Sequence, residues 1–159
     1  MITSIKQFRE TIFKPYNLAG RQQELREQTI KMLGQPVLNG DLKVEPWMLD
    51  LDPSRVKVKK IDGDLNCRHL GLTSLPTWFQ SIEEVTGWFD CSDNQLTSLE
   101  GSPQTVGGSF WCDNNRLTSL EGGPQIVGGW FYYYSNAKQF SETDIPSTTK
   151  IGGKIKFKT

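Results

Sequence analysis

The sequence predicts an α+β protein, a right-handed repeat solenoid with about 21–24 residues per coil, a parallel β-sheet of short strands and an N-terminal helical cap. Three observations lead there. Residues 85–105 (VTGWFDCSDNQLTSLEGSPQT) are followed without a gap by residues 106–126 (VGGSFWCDNNRLTSLEGGPQI), and a third copy opens at Val127. Each copy begins apolar, any, Gly, any, apolar, any, apolar, the alternation of a strand with one face buried. The first 35 residues instead carry helical spacing. The chain therefore divides into a cap over residues 1–35 and a solenoid over residues 36–159 that includes an irregular last coil.

In chain order, Thr3 or Ser4 is the N-cap of a helix carrying Ile5, Phe8, Ile12 and Phe13, which Pro15 stops. A second helix, from about Gly20 to Leu33, sets Leu25, Ile30 and Leu33 on one side, pairs Glu27 with Lys31 and ends before Gly34 and Pro36. The seven-residue signature then starts at 38, 61, 85, 106, 127 and 151. Stacked coils place equivalent inward residues about 4.8 Å apart in one parallel sheet. Phe89, Phe110 and Phe131 form one such ladder, and Cys67, Cys91 and Cys112 another, with Tyr133 next in line. Glycine at the third position of every start leaves room on the inner face for a large neighbour such as Trp78 or Phe79. Asn94, Asn115 and Asn136 follow the strand at a fixed place, where an amide ladder satisfies the turn's backbone groups. Leu72 and Leu75, Leu96 and Leu99, and Leu117 and Leu120 are three apart, so a tighter, partly helical or extended turn returns the chain. In the last coil Lys154, Lys156 and Lys158 alternate with Ile155 and Phe157, and lysine on an edge strand discourages edge-to-edge pairing.

Composition narrows the function classes. With 159 residues and 18 basic against 18 acidic side chains, the chain is one domain's worth and neither a strongly basic nucleic-acid binder nor a charged disordered tail. No run of about 18 apolar residues exists to span a bilayer. Three cysteines and no basic-then-apolar leader argue against a secreted disulfide framework, so a cytoplasmic location is expected. The zero balance hides a polarity: residues 61–136 hold nine acids against two bases, net −7, while both flanks are net basic. An acidic middle repels a phosphate backbone and favours a basic or mixed protein surface.

The candidates for chemistry are weak. The three cysteines share an inward rung, where thiols act as small hydrophobes; zinc is the alternative, but no CxxC occurs and the single histidine, His69, lies two residues past Cys67. One histidine at a strand end is thin support for a cysteine nucleophile. Glu83 with Glu84, and Asp62 with Asp64, read as solvated turn positions rather than paired catalytic acids. The GG pairs at 107, 128 and 152 precede strands, not helix N-termini, and so are no phosphate loop. No catalytic residue, metal ligand or cofactor is expected.

With Phe and Cys inward, the outward rungs are Trp88, Asp90 and Ser92; Ser109, Trp111 and Asp113; and Trp130, Tyr132 and Tyr134. Clustered Trp and Tyr with interspersed Asp is the composition of an interaction hot spot. Trp88, Asp90, Trp111, Asp113, Trp130, Tyr132 and Tyr134 are therefore the candidate partner-binding surface. The competing reading is that the N-terminal helices or the loop at residues 137–150 fold over this face and bury it.

The strings CSDNQLTSL and CDNNRLTSL resemble the LxLxxNxLxxL core of leucine-rich repeats, especially the short repeats of bacterial effector-type proteins. LTSLEG, a following Pro, then VGG and F-x-C also resemble repeats of small tailed-phage proteins. The match is close over residues 85–136, looser over 61–84, and rests on the strand signature alone over 38–60 and 151–159. The family pattern has a leucine three before the Phe position; Thr86, Gly107 and Gly128 stand there instead, which implies a longer or more β-helix-like approach to the strand. The resemblance implies a non-enzymatic protein-binding module, one that in a phage would inhibit or redirect a host protein such as a protease, defence effector or toxin in the host cytoplasm. Two alternatives remain: a minor virion or prohead component that self-associates through its solenoid ends, and a binder of single-stranded nucleic acid through base stacking on the aromatics.

Overall fold

The computed structural model describes residues 18–156. The expected first helix over residues 5–13, its cap at Thr3 or Ser4, and Phe157 and Lys158 lie outside the described residues. Helix α1 (Leu18–Leu33) is followed by twelve short strands in two parallel six-stranded sheets, an α+β arrangement compatible with a solenoid-like repeat. The chain divides into two compact units, Met1–Met32 and Leu33–Thr159.

Helix α1 starts two residues before the expected Gly20 and ends at the expected Leu33. Leu33 is buried and Ile30 half-buried, but Leu25 is 55% exposed, so the three do not share one covered side. Glu27 accepts a hydrogen bond from Gln23 Nε2 at 3.4 Å, a polar i,i+4 contact that takes the place of the expected pairing with Lys31. The Leu33 carbonyl accepts from the Lys57 and Val58 amides at 2.8 and 3.1 Å.

The seven-residue signature does not make one strand. In each coil it forms two, separated by the glycine at its third position. The first sheet contains β1 (Val37–Asn39), β3 (Lys60–Asp62), β5 (Glu84–Val85), β7 (Thr105–Val106), β9 (Ile126–Val127) and β11 (Lys150–Ile151), in chain order. The second contains β2 (Leu42–Lys43), β4 (Leu65–Asn66), β6 (Phe89–Asp90), β8 (Phe110–Trp111), β10 (Phe131–Tyr132) and β12 (Ile155–Lys156). Register is constant. Leu38, Ile61, Val85, Val106, Val127 and Ile151 form one column of partners, and Leu42, Leu65, Phe89, Phe110, Phe131 and Ile155 the other.

At five of the six glycines that divide the strand pairs a Cβ would meet backbone of the preceding coil within 3 Å, joined at Gly87, Gly129 and Gly153 by the side chains of Asp64, Ser109 and Trp130. Gly40 instead has open space and a φ of 101°. Neither Trp78 nor Phe79, the large neighbours expected there, is among these contacts. A Cβ on Gly108 would lie 2.8 Å from the carbonyl carbon and oxygen of Gly87, and one on Gly63 would lie 2.5 Å from the carbonyl carbon of Gly40. Backbone lies close on backbone at this bend, where Gly108 donates to the Gly87 carbonyl at 2.7 Å and Gly129 to that of Gly108 at 2.8 Å. Trp78 and Phe79 are buried elsewhere, on the short 3-10 turn Thr77–Ser81, and the Trp78 indole donates to the Met48 carbonyl at 2.8 Å.

The core runs as ladders along the stack. Phe89 and Phe110 stack at 5.3 Å between ring centroids, and Phe110 and Phe131 follow at 5.1 Å. Cys67, Cys91, Cys112 and Tyr133 are buried on the next inward rung, and the leucine pairs of the return segments close the far side. Between residues 96 and 104, and again between 117 and 125, the return contains no helix. No helix among the described residues is long and apolar enough to cross a membrane.

Candidate binding face

The face is built by a turn that repeats in four successive coils. His69, Asp93, Asn114 and Ser135, each two residues past the Cys/Tyr rung, adopt the left-handed conformation with φ between 51° and 58°. Asp and Asn tolerate this region better than most residues. The asparagine that follows in three of the coils secures the turn. Asn115 Nδ2 donates to the carbonyls of Cys91, Cys112 and Asp113, and its Oδ1 accepts from the Leu96 amide at 2.9 Å. Asn94 and Asn136 repeat the pattern on their own coils. The expected amide ladder is present and links successive coils, because each side chain joins its own turn to the one before.

The constant register aligns the outward rungs, and the aromatic side chains on them meet. Trp88 packs edge-on to Trp111 at 5.5 Å and 84°, Trp111 stacks on Tyr132 at 5.4 Å and 12°, and Trp130 stacks on Tyr132 at 5.9 Å and 28°. All four, with Tyr134, remain half-exposed. The 137–150 segment buries Phe140 edge-on against Tyr133, on the inward rung, and contributes nothing to the cleft described next.

The polar outward positions differ from expectation. Asp90, Ser92 and Asp113 alternate outward, yet they are buried, Asp113 to 5% exposure. Large aromatics on neighbouring coils fill the space above short side chains. Together Arg68, Trp88, Asp90, Ser92, Trp111, Asp113 and Tyr134 line a cleft of about 310 Å³ that draws on four successive coils. Asp90 Oδ1 accepts from the Ser92 amide at 2.9 Å and from its hydroxyl at 2.6 Å. Asp113 Oδ2 accepts from Asn114 Nδ2 at 3.1 Å, whereas Asp113 Oδ1 is buried with no hydrogen-bond partner among the described residues.

Burial pushes the Asp113 carboxyl above its ordinary range, and the like charges of Asp90 and Asp93 push the same way; its own backbone amide and the Tyr134 hydroxyl offset this in part. The Tyr134 phenol is raised as well, first by burial and then by the charge on Asp113. Arg68 supplies the one cation of the lining, and its Nε and Nη2 both reach Asp93 Oδ2, at 2.7 and 2.6 Å. Arg68 was not among the expected site residues. Its signal was positional, since it occupies the rung of Ser92, Asp113 and Tyr134 one coil earlier.

The remaining candidates serve the stack. Burial drives all three thiols well above their ordinary pKa, which suppresses thiolate at neutral pH. Glu83 and Glu84 pair with Lys59 and Lys60 at 2.6 and 2.9 Å, Asp62 accepts from Thr86 Oγ1 at 3.1 Å, and Asp64 accepts from the Trp88 amide at 2.9 Å. A larger cavity of about 560 Å³ lies against the return segments, lined by Leu, Pro and Thr with Asp50 and Asp52. It holds no aromatic residue and no cation.

Comparison with protein-family models, with curated proteins and with solved structures yields no match. The likeness to leucine-rich and tailed-phage repeats is thus carried by the motif residues alone.

Proposed function

We propose that the chain is a non-catalytic protein-binding module, a right-handed, leucine-rich-repeat-like solenoid whose aromatic face engages a partner with a basic or mixed surface. Right-handed connection is the near-universal rule for parallel strands joined by crossovers. One observation carries the reading. Four large aromatics on three successive coils, Trp88 edge-on and the others stacked, form a continuous, partly exposed row beside buried carboxylates, in the stretch where acids outnumber bases nine to two. Rigid aromatics with few side-chain torsions to immobilise are the residues that anchor protein interfaces, and an acidic setting selects basic partners. The binding of a host protein by a phage product remains an extension of the repeat resemblance.

The test compares Trp111→Ala and Tyr132→Ala with the unaltered protein in partner capture from lysate, with far-UV circular dichroism as the control for folding. Capture that falls about tenfold or more in folded variants is the expected result. Unchanged capture removes the face from consideration. Salt-steep binding of single-stranded DNA by the unaltered protein, lost in the same variants, would transfer the face to nucleic acid.

A further inference from the structure

We propose that the cleft between Trp88, Trp111 and Tyr134 receives the guanidinium group of an arginine side chain presented by the protein partner. The inference rests on the reading of this face as a protein-binding surface and names the side chain it takes.

One buried acceptor in the cleft lacks a donor. Asp113 Oδ1 is buried without a partner among the described residues. Asp90 uses Oδ1 for both Ser92 bonds and lines the same cleft. Buried polar atoms are almost always paired, so the unmatched Asp113 oxygen, beside a second carboxylate in the same cleft, calls for a donor from outside. The charge points the same way. Arg68, the only cation of the lining, makes its direct ion pair with Asp93 and acts on Asp90 and Asp113 only through space, so neither of these carboxylates has a salt-bridge partner in the cleft. An anion is excluded by the two carboxylates. A neutral polyol would supply hydroxyls but leave both charges uncompensated. A lysine ammonium is strongly hydrated and offers no plane to the aromatic walls. A guanidinium donates in a planar fork, matches carboxylates and sits favourably against indole and phenol faces. Tyr134 is the wall that has to yield, because its hydroxyl acts on the Asp113 carboxyl as a neutral donor that a charged donor would replace.

The experiment titrates the full-length protein with N-acetyl-arginine amide, with the citrulline counterpart and with cellotriose, following tryptophan fluorescence and confirming by calorimetry. Arginine is expected to bind saturably and citrulline at least about tenfold more weakly, since citrulline keeps the shape and loses the charge. Asp113→Asn and Trp111→Ala should each weaken arginine binding about tenfold or more. Asp113→Asn is isosteric, so its affinity remains readable even if Trp111→Ala disturbs the fold. Equal binding of arginine and citrulline, binding of cellotriose alone, or an affinity unaffected by Asp113→Asn would overturn the assignment. Tyr132→Ala separates the two readings, because Tyr132 lies beside the cleft and not in its lining. Absent arginine binding with Tyr132-dependent partner capture overturns only the arginine site. Arginine binding lost in Asp113→Asn, with capture indifferent to Tyr132→Ala, supports the cleft and removes the wider face.

Discussion

Asp113 holds a carboxylate where its charged form is poorly accommodated: 5% exposed, one oxygen unpaired and two further acids nearby. Its folded-state pKa lies above the unfolded value, so the native state keeps the proton over the window between them. Stability falls as pH rises through that window and the full deficit is present at neutral pH. Asp113→Asn is therefore expected to melt higher than the unaltered protein at neutral pH, by roughly 2–4 °C if the relief is about 1 kcal/mol. The gain should vanish as pH falls below the ordinary carboxylate range, and thermal melts across a pH series check both the sign and the window. A binding defect in the same variant cannot then be ascribed to unfolding. At this scale much was readable. The Asn ladder followed from spacing alone, because a side-chain amide has two donors and an acceptor to offer a recurring turn. The burial of Asp90 and Asp113 was not, since alternation gives the direction of a side chain and not what its neighbours on the next coil place above it.

The repeat's seven-residue signature reads as one strand with a buried face, and the chain instead bends at its glycine to supply two sheets. The apolar columns were right in every coil, at starts 38, 61, 85, 106, 127 and 151. The bend escaped notice because an alternating pattern fits a straight strand and two short strands equally well. Close packing of backbone on backbone, visible only between coils, distinguishes them. Gly108→Ala tests that account. Its methyl would lie 2.8 Å from the Gly87 carbonyl, where nothing flexible can move aside. The variant is expected to lose about 1–3 kcal/mol in urea unfolding, the usual range for overpacking. A midpoint equal to that of the unaltered protein would show that coils are not held apart by backbone contact at the bend. Helix α1 shows the weaker side of pattern reading, since its extent was predicted to within two residues while Leu25 stayed exposed.

At the scale of the molecule, strands among the described residues pair only with those of adjacent coils, so stability accumulates from neighbour to neighbour. Deleting residues 106–126 removes one coil of 21 residues and joins Thr105 to Val127 in phase. The shortened chain is expected to keep its far-UV spectrum and unfold in one transition at a lower urea midpoint. Loss of the native spectrum would show that this coil is indispensable and that the stack is not modular. The sequence by itself determined the period, the two apolar columns, the Phe, Cys and Asn ladders and the outward aromatics, because each is a periodic property of the chain that repetition makes plain. Only the tertiary structure decided that the strands form two sheets, that Arg68 joins Trp88, Asp90, Ser92, Trp111, Asp113 and Tyr134 around one cleft, and that an oxygen of Asp113 is left unpaired there. These depend on the distance between coils and on which side chains lie over their neighbours. Residues 21 to 25 positions apart become adjacent through stacking, and no local pattern encodes how much room that adjacency leaves.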